Sequence, residues 1–118
     1  LADDHMDVRK GIAQILSEEF EPVHIGEAEN GKDLIEKVQL TKWDIIISDL
    51  AMPGINGLEA LKDIHKSYPT LPVIIISSSP ADQYRERVLE AGALAFISKE
   101  NLPGELIEII RGLIQSHA

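Results

Sequence analysis

Residues 45–61 read IIISDLAMPGINGLEAL. Three isoleucines and Ser48 form an apolar run that gives out at Asp49, and a loop carrying Pro53, Gly54 and Gly57 follows. Helical spacing then resumes at Leu58, Leu61 and Ile64. A short unbroken apolar run bounded by turn residues is the pattern of a strand buried on both faces, as in a parallel sheet. The same pattern recurs in VIIIS, residues 73–77.

Working outward, short β-branched runs at 23–25, 44–48, 73–77 and 95–97 alternate with segments whose apolar residues recur at three and four. Val8, Ile12, Ile15 and Leu16 mark the first such helix, and Leu34, Ile35 and Val38 the second. Ala81, Tyr84, Val88 and Ala91 mark the fourth, and Leu106, Ile109, Ile110 and Leu113 the fifth. The opening LADDH reads as a first strand clipped at its N-terminus. The predicted order is βαβαβαβαβα: an α/β, doubly wound parallel sheet with helices on both faces. Breakers fall at the expected boundaries. Asn30-Gly31 forms a β-to-α connection, Pro69 and Pro72 precede the fourth strand, Gly92 closes the fourth helix, and Pro103 is a first-turn residue of the fifth.

At 118 residues and 44% hydrophobic composition, the chain has the size of one globular domain, spanning 1–118. The absence of cysteine excludes disulfides, thiol nucleophiles and cysteine-based zinc sites, and it suits a reducing cytoplasm. A net charge of −9 argues against a basic face for nucleic acid, so DNA contact requires another domain. No apolar run approaches the roughly 18 residues of a membrane span, so no membrane partner is expected.

Ligands of an open parallel sheet bind outside the carboxyl ends of the strands. Asp3 and Asp4 end the first strand stub, Asp49 the third strand, Ser77 the fourth and Lys99 the fifth. Two carboxylates about 5 Å apart repel by roughly 3 kcal/mol at an effective dielectric near 20, so this cluster calls for a cation. Oxygen ligands without histidine or cysteine suit Mg²⁺. Asp49 is then the candidate nucleophile toward phosphorus, with the hydroxyl and ammonium neutralising the transferring group. Blander readings of single residues remain. The aspartate pair could cap the first helix, Asp49 could be a turn residue, Lys99 could be solvated surface, and Ser78 and Ser79 read as loop and cap. His5, His24, His65 and His117 are scattered and read as ordinary, and Trp43 reads as packing between the second helix and third strand.

The Asp3-Asp4 pair, Asp49 with Met52-Pro53-Gly54 and Gly57 behind it, Ser77 closing VIIIS, and Lys99 after Phe96-Ile97-Ser98 together resemble the receiver domain of two-component response regulators. LADDH, MPGINGLEAL and YPTLPVIIIS resemble the NarL/FixJ/LuxR-type subgroup. The resemblance implies a flavodoxin-like (βα)5 sheet in the order 2-1-3-4-5. It implies a bacterial, cytoplasmic switch, not an enzyme beyond its own phosphorylation and dephosphorylation, in which Asp49 takes a phosphoryl group from a sensor histidine kinase. Asp4, Asp49 and the backbone carbonyl of Ala51 would hold Mg²⁺ or Mn²⁺, with Asp3 acting through water. Lys99 and the Ser77 hydroxyl would engage the phosphoryl group, and Phe96 would change rotamer with Ser77. The altered face is that of the fourth helix, fifth strand and fifth helix, with residues 80–99 at its centre. Its output would be transcription through a helix-turn-helix domain absent from these residues, with a homodimer formed on phosphorylation as a further implied partner. In this chain Glu100 follows the lysine where most receivers carry proline, and Ala51 and Ser79 occupy the positions that influence phosphate lifetime. Two rivals differ in kind. A haloacid-dehalogenase-type phosphatase would carry a second acid at position 51, and a phosphate-independent interaction module would have lost one of the five site residues.

Overall fold

The computed structural model describes residues 1–78 and 82–116, without the side chains of Asp82 and Ser116. The readings of Ser79, Ala81 and His117 lie outside the described residues. In chain order the elements are α1 (Met6–Glu19), α2 (Gly31–Leu40), β1 (Ile46–Asp49), α3 (Gly57–Ser67) and β2 (Val73–Ser77). They continue with α4 (Asp82–Glu90), β3 (Ala95–Ser98), a 3-10 turn (Lys99–Asn101) and α5 (Gly104–Ser116). Among the described residues no helix is long and apolar enough to cross a membrane.

The three strands run parallel in the order β1-β2-β3, with Ile46 opposite Val73 and Ile74 opposite Ala95. Alternation along β2 divides the core. Val73 and Ile75 pack with Leu34, Leu61, Ile64 and Phe96 on the side of α2, α3 and α4, whereas Ile74 and Ile76 pack with Ile12, Leu16, Leu106 and Ile110 on the side of α1 and α5. Helices therefore cover both faces, the doubly wound arrangement expected of apolar runs such as VIIIS.

The first two predicted strands are reduced to single bridges. Ala2 bridges in parallel to Ala28 on one side and Ser48 on the other. The lateral progression 28, 2, β1, β2, β3 thus follows the 2-1-3-4-5 order, although only the last three positions form ladders. The second strand predicted at Val23–Ile25 does not form; that segment lines an open apolar groove of about 350 Å³ facing Trp43, Ile45 and Ile47. A strand persists through a neighbouring ladder, and the residues ahead of α1 supply a single bridge.

Smaller boundaries also moved. β1 runs through Asp49 itself, and β3 reaches Ser98. Pro103 precedes α5, its carbonyl accepting from the Ile107 N–H at 3.1 Å. The aspartate pair does not occupy the cap position of α1, which belongs to His5. Asn30 does cap α2, accepting from the Asp33 N–H at 2.8 Å, and Asn56 caps α3 in the same way. Trp43 donates its indole N–H to the Lys37 carbonyl at 3.0 Å and stacks on His24.

Gly57 decides how closely α3 approaches the end of β1. Its N–H donates to the Leu50 carbonyl at 2.7 Å, and a Cβ there would lie 2.3 Å from the Asp49 carbonyl oxygen and 2.8 Å from Leu50 Cα. Both obstacles are backbone, so side-chain movement cannot relieve them. Gly57→Ala is expected to cost about 2–3 kcal/mol of stability by overpacking. Gly11→Ala, at an open site in α1, should gain about 0.5–1 kcal/mol. Urea titration of both variants checks the opposite signs.

Candidate functional site

The carboxyl ends of the strands converge with residues 2–5 on one edge of the sheet. Asp49 is tied on both sides through backbone: its N–H donates to the Ala2 carbonyl and the Leu50 N–H to the Ile76 carbonyl, each at 2.8 Å. Asp3 follows the Ala2 bridge directly, so the two carboxylates are delivered together. Both are buried, Asp3 at 0% and Asp49 at 3% exposure. Lys99, the first residue after β3, reaches across with Nζ 3.1 Å from Asp3 Oδ2 and 3.3 Å from Asp49 Oδ2.

One ammonium is thus shared by two buried carboxylates. Its hydrogen bond goes to Asp49, while the shorter Asp3 contact is ionic without hydrogen-bond alignment, leaving Asp3 Oδ2 a buried oxygen with no directed donor. Burial pushes the Asp49 carboxyl above its ordinary value and the Asp3 charge adds to this. Lys99 and a backbone hydrogen bond from Ala51 offset only part. Burial alone would lower the Lys99 ammonium, but its contacts with Asp3 and Asp49 outweigh that and hold it above its ordinary value.

Asp4 is the exposed member of the group. His5 Nδ1 lies 3.1 Å from Asp4 Oδ1 and 3.2 Å from Asp3 Oδ1, and the His5 N–H donates to Asp3 Oδ1 at 2.9 Å. Ligand atoms of Asp3, Asp4, His5 and Asp49 all fall within 4.8 Å of one another. Three carboxylates against one ammonium, with a buried oxygen lacking a directed donor, fit a hard divalent cation such as Mg²⁺ or Mn²⁺.

Ser77 ends β2 opposite Ser98, one residue beyond the Ile76 that faces Asp49, and is 3% exposed. Phe96 lies inside β3, 4% exposed, in the core beside α4 with Val88. Arg85 on α4 donates to the Phe96 carbonyl at 3.5 Å. Ala51 is exposed, and its backbone amide is what reaches the Asp49 carboxylate.

Three residues escaped the sequence reading. His5, read there as ordinary, stands against the acidic pair. Arg9, 6% exposed, donates from Nη1 to the Asp3 carbonyl at 2.8 Å and from Nε to Glu27 Oε1 at 2.9 Å, clamping the bridge region. Glu27 also takes Lys10, and that hydrogen bond first, then Arg9, holds its carboxyl below the ordinary range. The available signal was a charge at position 9 on the buried stripe of Ile12 and Leu16.

Because the folded-state value of Asp49 is raised, its ionisation weakens the fold. That cost is full above the raised value and vanishes below the ordinary 3.8. In chelator-treated buffer, Asp49→Asn should therefore be more stable than the parent at pH 7 by on the order of 1 kcal/mol, the advantage closing toward pH 4. Added Mg²⁺ should raise the melting temperature of the parent more than that of the variant. Thermal denaturation at the two pH values and with Mg²⁺ checks both statements.

The family model of the response regulator receiver domain matches residues 1–111. The chain is 35% identical over 118 residues to the uncharacterized transcriptional regulatory protein YxjL of Bacillus subtilis, covering 100% of this chain and 54% of that protein. To the response regulator UvrY of Escherichia coli it is 34% identical over 113 residues, covering 96% and 52%. It thus spans about half the length of these curated relatives. A LuxR-family DNA-binding response regulator from Staphylococcus aureus superposes with a TM-score of 0.87 at 27% identity, covering 95% of this chain and 93% of that one. The Francisella response regulator 1452 receiver domain gives 0.88 at 25% identity, covering 99% and 95%. With this match and the acidic strand-end site in place, the chain belongs to the response regulator receiver domain family, among relatives of LuxR type.

Proposed function

We propose that the chain is a phosphorylation-operated switch whose phosphoacceptor is Asp49. The observation that carries this reading is a buried carboxylate at a strand end, held beside Asp3 and within reach of Lys99, at the edge where ligands of such sheets bind. An Asp49 oxygen attacks the phosphorus of a phosphohistidine on a sensor kinase. The P–N bond breaks, and the imidazole departs with its electron pair and takes up a proton.

Asp4, Asp49 and the Ala51 carbonyl would hold Mg²⁺, with Asp3 acting through water. When bound, the ion supplies neutralisation of the phosphoryl oxygens. Lys99 keeps its ammonium at the same point throughout, released from Asp49 toward the new phosphoryl group. The Ser77 hydroxyl donates to a phosphoryl oxygen, and Phe96 moves into the space so vacated. The link from Arg85 to the Phe96 carbonyl offers a route by which α4 senses that movement. The face of α4, β3 and α5 then engages its partner, a second copy or an output domain outside this chain. Transcription control through a DNA-binding domain is the output that the relatives' names support, and the cytoplasm is its expected place.

Incubation with Mg²⁺ and acetyl phosphate should add one phosphoryl group by intact mass, and Asp49→Asn should abolish the gain. Persistence of the gain in Asp49→Asn sinks the assignment. Lys99→Ala should still accept phosphate but lose the phosphorylation-dependent change in amide exchange of α4 and β3. Ala51 offers no side chain to orient water, so Ala51→Asn should hasten dephosphorylation by roughly tenfold. An unchanged decay rate removes that role for position 51.

A further inference from the structure

His5 holds its imidazole Nδ1 3.1 Å from Asp4 Oδ1 and 3.2 Å from Asp3 Oδ1, facing the acidic pair. Neighbouring ligands of an octahedral ion with bonds of about 2.1 Å lie about 3.0 Å apart, so the His5–Asp4 spacing matches adjacent positions around one cation, with Asp3 beside them acting through water. Ligand atoms of Asp4, His5 and Asp49 also lie within 4.8 Å of one another, and Lys99 as the one ammonium on Asp3 and Asp49 leaves the three carboxylates with excess negative charge. The His5 side chain is 65% exposed, so water can fill the remaining positions.

We propose that His5 is a specificity-determining nitrogen ligand of this site, giving it a preference for late first-row divalent ions such as Co²⁺ over Mg²⁺. The inference rests on the reading of Asp3, Asp4 and Asp49 as a cation site and adds to it a donor of different chemistry. Carboxylate oxygens hold Mg²⁺ and Mn²⁺ about as well with or without an imidazole nearby, whereas imidazole nitrogen favours Co²⁺, Ni²⁺ and Zn²⁺. The ion is bound by the Nδ1 lone pair of the neutral imidazole, whose single ring proton then sits on Nε2. Replacing the side chain isolates the imidazole, because the backbone N–H of residue 5 still holds Asp3 Oδ1.

Isothermal titration of this chain with MgCl₂ and with CoCl₂ tests the preference, and His5→Ala tests its source. Co²⁺ should bind the parent about tenfold more tightly than Mg²⁺. His5→Ala should weaken Co²⁺ by about tenfold while changing Mg²⁺ less than about twofold. Proton NMR of the Co²⁺-loaded parent provides a second readout: a directly bound imidazole gives a hyperfine-shifted ring N–H resonance that His5→Ala lacks. Parent protein that binds Co²⁺ without that shifted resonance, or equal losses of both ions in His5→Ala, overturns the role of His5 and leaves the cation site standing. Parent protein that binds neither ion overturns both.

Discussion

A single ammonium between two buried carboxylates is the contact on which the rest of this molecule is arranged. Lys99 lies 3.1 Å from Asp3 and 3.3 Å from Asp49, and without it the two acids would face each other in a nearly dry site. Removing that ammonium is expected to cost about 3–5 kcal/mol, because the two carboxylates left behind are buried and uncompensated. The pair is also incomplete: one positive charge cannot balance Asp3, Asp4 and Asp49 together. The residual negative charge favours a cation there, and the Asp3 charge adds to the burial that raises the Asp49 carboxyl.

The scaffold bears that cost through rigid backbone. Parallel pairing places the ends of β1, β2 and β3 side by side, so Asp49, Ser77 and Lys99 arrive on one edge. Ile74, Ile75, Ile76 and Ile97, each 0–1% exposed, pack those strands closely between the two helical layers. Asp3 is secured differently, by the two isolated bridges of Ala2 and by the guanidinium of Arg9 on its carbonyl. The acid with the least strand around it is the one that has a buried arginine as a clamp.

Much of the fold was legible because burial on both faces leaves a plain mark. VIIIS and IIIS could be read as central strands, and the helical spacings that follow them could be read as covering layers. Val23–Ile25 misled for a physical reason: β-branched residues favour a strand only when a neighbour pairs with it, and pairing occurs at Ala28 instead. Arg9 was illegible because a charge on a helix face ordinarily means solvent, and only the packed structure shows it turned inward onto Glu27 of the segment before α2.

By itself the sequence determined the alternation of elements and the five polar residues that gather at the carboxyl edge, since strand ends follow directly from where apolar runs stop. Tertiary structure decided which of those residues touch. It paired Lys99 with both acids, turned Asp3 inward and Asp4 outward, brought the Ala51 amide to Asp49, and stood His5 against the acidic pair. Those outcomes depend on distances of a few tenths of an ångström between segments far apart in the chain, and such distances are fixed by packing rather than by local residue pattern.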